Sequence, residues 1–283
     1  MGNIKRSLSK IVRSMPYGAA LLAMAHSLRE SPPSFDGWGM KTYHRTPPWI
    51  GMEDGLGKSF SIVNDSVIKS GQSGQLYLSQ FAESMDIVSL LRELSWRHFI
   101  IFWSVHHVFK SVGVSAHKNF VECGVCDGLT IMYALRAMDD LNQGHSRVYL
   151  YDSWQAMRGD LLQDSEKKNI GGYSYLSIDS TKRNLSKYAS RTVFCQGFIP
   201  DSFKSHDNPA EISWLHIDLN ASVATLSTLE FFFPRLEHGG CLVFDDYGSD
   251  NYRDTKLVVD RFFRDKGGSL LPLPTGQAIY FKT

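Results

Sequence analysis

From Phe120 onward the chain alternates short apolar runs with longer stretches in which apolar residues recur every three or four positions. The runs are NFVEC, RVYLY, TVFCQ, ISWLHID, CLVFDD, SLLPL and AIYFK, rich in β-branched and aromatic residues. Runs that are apolar on both faces, separated by helix-length segments, predict a mostly parallel sheet with crossover helices on both sides, an α/β fold. SLLPL and AIYFK are parted by Pro274, Thr275 and Gly276, too little chain for a crossover, so these two strands are expected to pair antiparallel.

Upstream the texture differs. Leu76 to Val112 lacks Pro and Gly and carries apolar residues at helical intervals, which predicts two helices. Residues 31–75 are dense in Pro and Gly with scattered aromatics, which predicts irregular chain with apolar anchors. In the first thirty residues Lys5, Arg6, Lys10 and Arg13 precede a short apolar stretch broken by Pro16 and Gly18, read as an amphipathic surface helix rather than a signal peptide. The expected organisation is a helix and irregular lid segment over 1–75, a helical lid or connector over 76–115, and a ligand-binding α/β domain over 116–283.

Composition narrows the function classes. With 30 basic and 29 acidic residues the net charge is +1, so no overall positive field exists to hold nucleic acid or an anionic membrane. No apolar run approaches the roughly 20 residues of a membrane span. Cys123, Cys195 and Cys241 lie inside strand-like runs and read as buried thiols of a reducing, cytoplasmic compartment. Cys123 and Cys126 form a C-x-x-C, but no second pair or nearby His completes a zinc site.

Candidate chemistry gathers at the strand ends. NFVEC runs into GVCDG before a helical pattern begins, and glycines there let a ligand approach bare backbone at a helix N-terminus. Glu122 at that strand end suits a cationic group better than a pyrophosphate. Asp152 closes the second run, where an acidic side chain accepts hydrogen bonds from ribose hydroxyls, and Trp154 is available to lie against an adenine. Gln196 and Gly197 end the third run. Together these features point to an adenosine-containing ligand.

LHIDLN and LVFDDYG bring Asp218, Asp245 and Asp246 to neighbouring strand ends. Carboxylates crowded in this way repel unless protonated or bound to a cation, and a hard divalent ion such as Mg²⁺ would resolve the conflict. The alternative is a turn with helix-capping duty, and the residues alone leave the two level. Tyr252 and Lys256 have the Tyr-x-x-x-Lys spacing of short-chain dehydrogenases, a two-residue pattern that arises readily by chance. His106, His107 and His216 read as core or interface residues.

In order, VECGVCDG, LYDSW, Gly197-Phe198 before Pro200, LHIDLN with Thr225, PRLEHGGCLVFDDYG and GQAIYFK resemble the motifs of class I S-adenosylmethionine-dependent methyltransferases, and within them the macrocin O-methyltransferase (TylF-type) family. The resemblance runs from about Leu90 to the C-terminus. It implies a Rossmann-like fold, a seven-stranded mostly parallel sheet with an antiparallel last strand. It implies S-adenosylmethionine held by Glu122, Gly124, Val125, Gly128, Asp152, Ser153 and Trp154, with Gly197, Phe198 and Asp218 completing the pocket. It further implies Mg²⁺ on Asp218, Asp245 and Asp246, Asp218 as the base, and a hydroxylated small-molecule acceptor such as a sugar or glycoside.

The family usually has a second acid and then a tyrosine where this chain has Asn220 and Ser222. That departure keeps open a non-catalytic or altered-specificity S-adenosylmethionine-binding protein. An NAD(P)-dependent oxidoreductase is the other rival, and the missing G-x-G-x-x-G weighs against it. The aromatic stretch from Trp96 to Phe109 offers a surface for a homo-oligomer.

Overall fold

The computed structural model describes residues 58–70, 94–111, 118–264, 266 and 268–283. The helix expected in the first thirty residues, most of the irregular segment and the first of the two helices expected before Val112 lie outside the described residues.

Seven strands form one sheet in the order β3-β2-β1-β4-β5-β7-β6. They are β1 (Asn119–Cys123), β2 (Arg147–Asp152), β3 (Thr192–Gln196), β4 (Ile212–Ile217), β5 (Leu236–Phe244), β6 (Leu271–Pro272) and β7 (Ala278–Phe281). The first five pair parallel, while β7 runs antiparallel to both β5 and β6. The mostly parallel sheet and its antiparallel close are those the apolar runs predict. Strand β5 starts earlier than the run CLVFDD, taking in Leu236 to Gly240, because Gly239 N–H and Gly240 C=O bond to Lys282 of the neighbouring chain segment at 2.7 and 2.9 Å.

Alternation along the strands splits the core into two layers. Phe120, Val148, Leu150 and Trp214 face helices α2 (Ser95–Lys110) and α3 (Leu129–Asp140). Val121, Leu215, Ile217 and Leu242 face Phe232 of α5 (Ser222–Phe232) and Phe263 of α6 (Arg253–Arg264). Helix α4 (Ile178–Asn184) lies between β2 and β3 in sequence. Among the described residues no helix is long and apolar enough to cross a membrane.

One element corrects the sequence expectation. Residues 58–70, inside the segment read as irregular, form helix α1 (Lys58–Ser70). Phe60, Val67 and Ile68 share its buried face, and Phe60 meets Phe99, Phe102 and Tyr133 edge-on or tilted at 5.4 to 6.0 Å. Asn64 ties the helix down by accepting from Tyr133 Oη at 2.8 Å and donating to Ser95 Oγ at 3.0 Å.

Candidate active site

The C-terminal ends of β1, β2, β4 and β5 open onto one cavity, as expected for an open α/β sheet. Its floor is shaped by a glycine. Gly124 has φ +91°, and a β-carbon there would stand 1.8 Å from the Asp218 carbonyl oxygen. Only glycine can therefore carry β1 into this turn while lying flat against the end of β4.

Asp152 organises the same turn. Its Oδ2 accepts from Val125 N and Cys126 N at 2.8 Å each, and its Oδ1 accepts from Trp154 N at 2.7 Å. Burial raises its pKa, although the backbone amides pull the other way. Asp152 reaches the cavity, so it first shapes the loop and has second lone pairs left for a ligand. Val125, Ser153, Gly197 and Phe198 also line the cavity.

Three sequence-predicted contacts sit elsewhere. Trp154 is buried and does not line the cavity; its indole N–H donates to Cys126 O at 2.9 Å and contacts Thr181 Oγ1 at 3.0 Å, so it braces the loop from behind. Gly128, at φ +91°, starts α3 and packs against Leu185. Glu122 does not line the cavity: it is fully buried, with Oε1 2.9 Å from His216 Nδ1.

His216 is thus a core residue, but an ionic one. Burial opposes its charge, yet Asp245 and Glu122 outweigh that and push its pKa up to about 10. Its Nε2 stands 3.7 Å from Asp245 Oδ1. A buried chain therefore runs from Glu122 through His216 to Asp245.

Asp218, Asp245 and Asp246 do converge: each offers a carboxylate oxygen, all within 4.8 Å of one another. Loss of hydration, then Asp245 and Asp246, raise the Asp218 pKa well above the usual carboxylate range. Burial works against Asp245 as well, but Arg97, His216 and Gln277 hold its carboxyl below that range. Gln277 Nε2 donates to Asp245 Oδ1 at 2.9 Å. Asn220, in the left-handed region at φ 51°, donates from Nδ2 to Asp218 Oδ1 at 3.2 Å and to Asp246 Oδ2, while its Oδ1 accepts from the Tyr173 hydroxyl.

Sequence reasoning did not find Arg97, Gln277, Tyr173 or His98, all of which line this cavity. Arg97 left a signal: it is a lone permanent charge in the apolar stretch SWRHFIIFW, and such a charge must be paired when buried. Most of the remaining candidates lie outside the site. Lys256 pairs with Asp260 on α6, His106 lies 3.4 Å from Asp140, and His107 packs on Trp103 and Phe281. The four cysteines are free thiols, and of these Cys126 lines the cavity.

Residues 121–247 match the model of a family described as a methyltransferase domain. No curated protein matches the sequence. Among solved structures, the O-methyltransferase NovP superposes with a TM-score of 0.61 at 18% identity, covering 79% of this chain and 99% of NovP. CalS11, a calicheamicin methyltransferase, gives 0.52 at 16% identity, covering 75% of this chain and 91% of CalS11. The apo form of CalS11, described as a TDP-rhamnose 3'-O-methyltransferase, gives 0.45 at 18% identity over 75% of this chain and 93% of its own. At these identities the likeness is one of fold, and that fold is the Rossmann-like fold of class I methyltransferases.

Proposed function

We propose that this chain, a methyltransferase by domain and fold, is an S-adenosylmethionine-dependent O-methyltransferase of the macrocin (TylF-type) kind. In this reading it acts on a hydroxyl of a sugar or glycoside, with Mg²⁺ held by Asp218, Asp245 and Asp246. The observation that carries it is the contact between Gly124 and the Asp218 carbonyl. It sets the glycine loop, where a donor would lie, against the root of the carboxylate cluster, so donor and acceptor sites share a wall. A hydroxyl acceptor is supported by the likeness to NovP, described as an O-methyltransferase, and to CalS11, a calicheamicin methyltransferase.

The residues fit both groups. Bare backbone at Gly124, the amides drawn together by Asp152 and the Gly197 turn provide the kind of surface an adenosine moiety requires. Three carboxylates within 4.8 Å are a hard oxygen donor set, and burial, followed by the charges of Asp245 and Asp246, raises the Asp218 pKa. The donor supplies a methyl group on sulfonium sulfur, so a C–O bond forms as the C–S bond breaks and the hydroxyl proton must leave. Mg²⁺ would render a coordinated hydroxyl more acidic.

Asp218 is the residue proposed to take that proton, because its backbone carbonyl lies against the Gly124 loop while its carboxylate belongs to the cluster. Asn220 cannot accept a proton but fixes the orientation of Asp218 and Asp246 through its amide donors. Ser222 begins α5 and gives its backbone N–H to Glu166 Oε1 at 2.7 Å, away from the cavity lining. Neither departure from the family pattern removes the base.

The test is transfer of isotopically labelled methyl from S-adenosylmethionine to a panel of nucleotide sugars and glycosides, with Mg²⁺ and with chelator. Labelled ether that disappears with chelator is the expected result. Methylation that is indifferent to chelator, or that falls on nitrogen or carbon, would overturn the reading.

A further inference from the structure

Arg97 occupies ground that the proposed metal site needs. The side chain projects from α2, is 7% exposed, and donates from Nη2 to both the carboxylate and the carbonyl of Asp245, the latter at 2.9 Å. Its Nη1 donates to Thr275 O at 2.6 Å, and Nη2 lies 3.8 Å from Asp246 Oδ1. The other Asp245 oxygen already accepts from Gln277. Each oxygen of Asp245 therefore already accepts from an N–H donor, one of them cationic, while Asp218 and Asp246 are held by the neutral amide of Asn220.

A guanidinium is a permanent cation with a rigid fork. A divalent ion and Arg97 on one carboxylate would repel, so the ion gains Asp245 only as the guanidinium retreats. Resting on the proposed Mg²⁺-dependent reading, we infer that Arg97 competes with the divalent ion for Asp245, and that loading the ion shifts α2. The consequence reaches the acceptor. Leu94, His98 and Ile101, at the start of α2 and along it, line the same cavity, so the ion and this wall of the cavity are mechanically linked. Arg97 is a positioning residue in this scheme.

The experiment titrates Mn²⁺ into the full chain, read by electron paramagnetic resonance, for the wild type, Arg97→Gln and Arg97→Lys. Removing the charge should tighten Mn²⁺ binding by at least about tenfold, the scale of coupling between close charge pairs, while Arg97→Lys should stay near the wild type. Equal or weaker binding by Arg97→Gln, or no Mn²⁺ bound by any of the three, overturns the inference. Should Arg97→Gln fail to fold, hydrogen exchange on the wild type decides: backbone amides of residues 95–110 should exchange faster with Mn²⁺ present, and unchanged exchange refutes the link. Titration of the same proteins with S-adenosylhomocysteine reads the donor site separately, so failure of the proposed activity and failure of the competition are told apart.

Discussion

His216 Nδ1 stands 2.9 Å from Glu122 Oε1 with both side chains withdrawn from water, joining adjacent strands β4 and β1 beneath the cavity. A residue that the sequence suggests as a ligand for a cationic substrate group is thus the partner of a buried imidazolium. Removing one member of such a pair costs about 3–5 kcal/mol, and Asp245, 3.7 Å from His216 Nε2, keeps the loss at the low end of that scale by compensating part of the charge. Glu122→Gln is expected to lower unfolding free energy in urea on that scale while leaving S-adenosylhomocysteine affinity unchanged in the folded fraction. A lost affinity with intact stability would return Glu122 to the binding site.

Asp152 should behave differently, because its carboxylate holds three backbone amides in the donor loop. Asp152→Asn replaces one acceptor oxygen by an amine, so at least one N–H loses its partner at about 1–3 kcal/mol. Calorimetry should record S-adenosylhomocysteine affinity falling by roughly tenfold or more, with a smaller drop in thermal midpoint. Unchanged affinity would show that the loop keeps its shape without the carboxylate.

Asp218→Asn keeps the size of the side chain and removes its basicity. Transfer to the acceptor should fall by about 10²–10⁴-fold, the usual contribution of a general base. Binding of S-adenosylhomocysteine should persist. Full activity in Asp218→Asn would remove this residue from both base and metal roles.

Far from the site, Asp139 accepts from Lys187 Nζ at 2.9 Å and from Arg191. Burial raises its pKa, but the two cations outweigh that and bring it below the ordinary 3.8. A depressed folded-state pKa means that the stabilisation is complete above the unfolded value and is lost as pH falls through the folded one. The urea midpoint of the wild type should therefore exceed that of Asp139→Asn at pH 7 and converge with it as the pH falls below the ordinary carboxylate range. Parallel curves across that range would deny the pairing any role.

The strands were legible because a run buried on both faces leaves an unbroken apolar signature, and Gly124 and Asp152 were legible because they end such runs. Glu122 was not. Its true partner is set by the register that places it beside His216, more than ninety residues away, and local sequence carries no trace of that pairing. Helix α1 was hidden for another reason: its three turns lie within a window whose Pro and Gly content masks the spacing of Phe60, Val67 and Ile68. Arg97 was visible as a charge out of place, but its destination depends on how α2 docks over β5.

The claim on which the account turns is that a methyl donor lies along the loop that Gly124 allows to rest on Asp218. Calorimetric titration of the wild type and Gly124→Ala with S-adenosylhomocysteine tests it directly. A β-carbon 1.8 Å from the Asp218 carbonyl at φ +91° must displace that loop. Saturable single-site binding by the wild type that disappears in a folded Gly124→Ala is the predicted result. No binding by the wild type, or equal binding by both proteins, would contradict it.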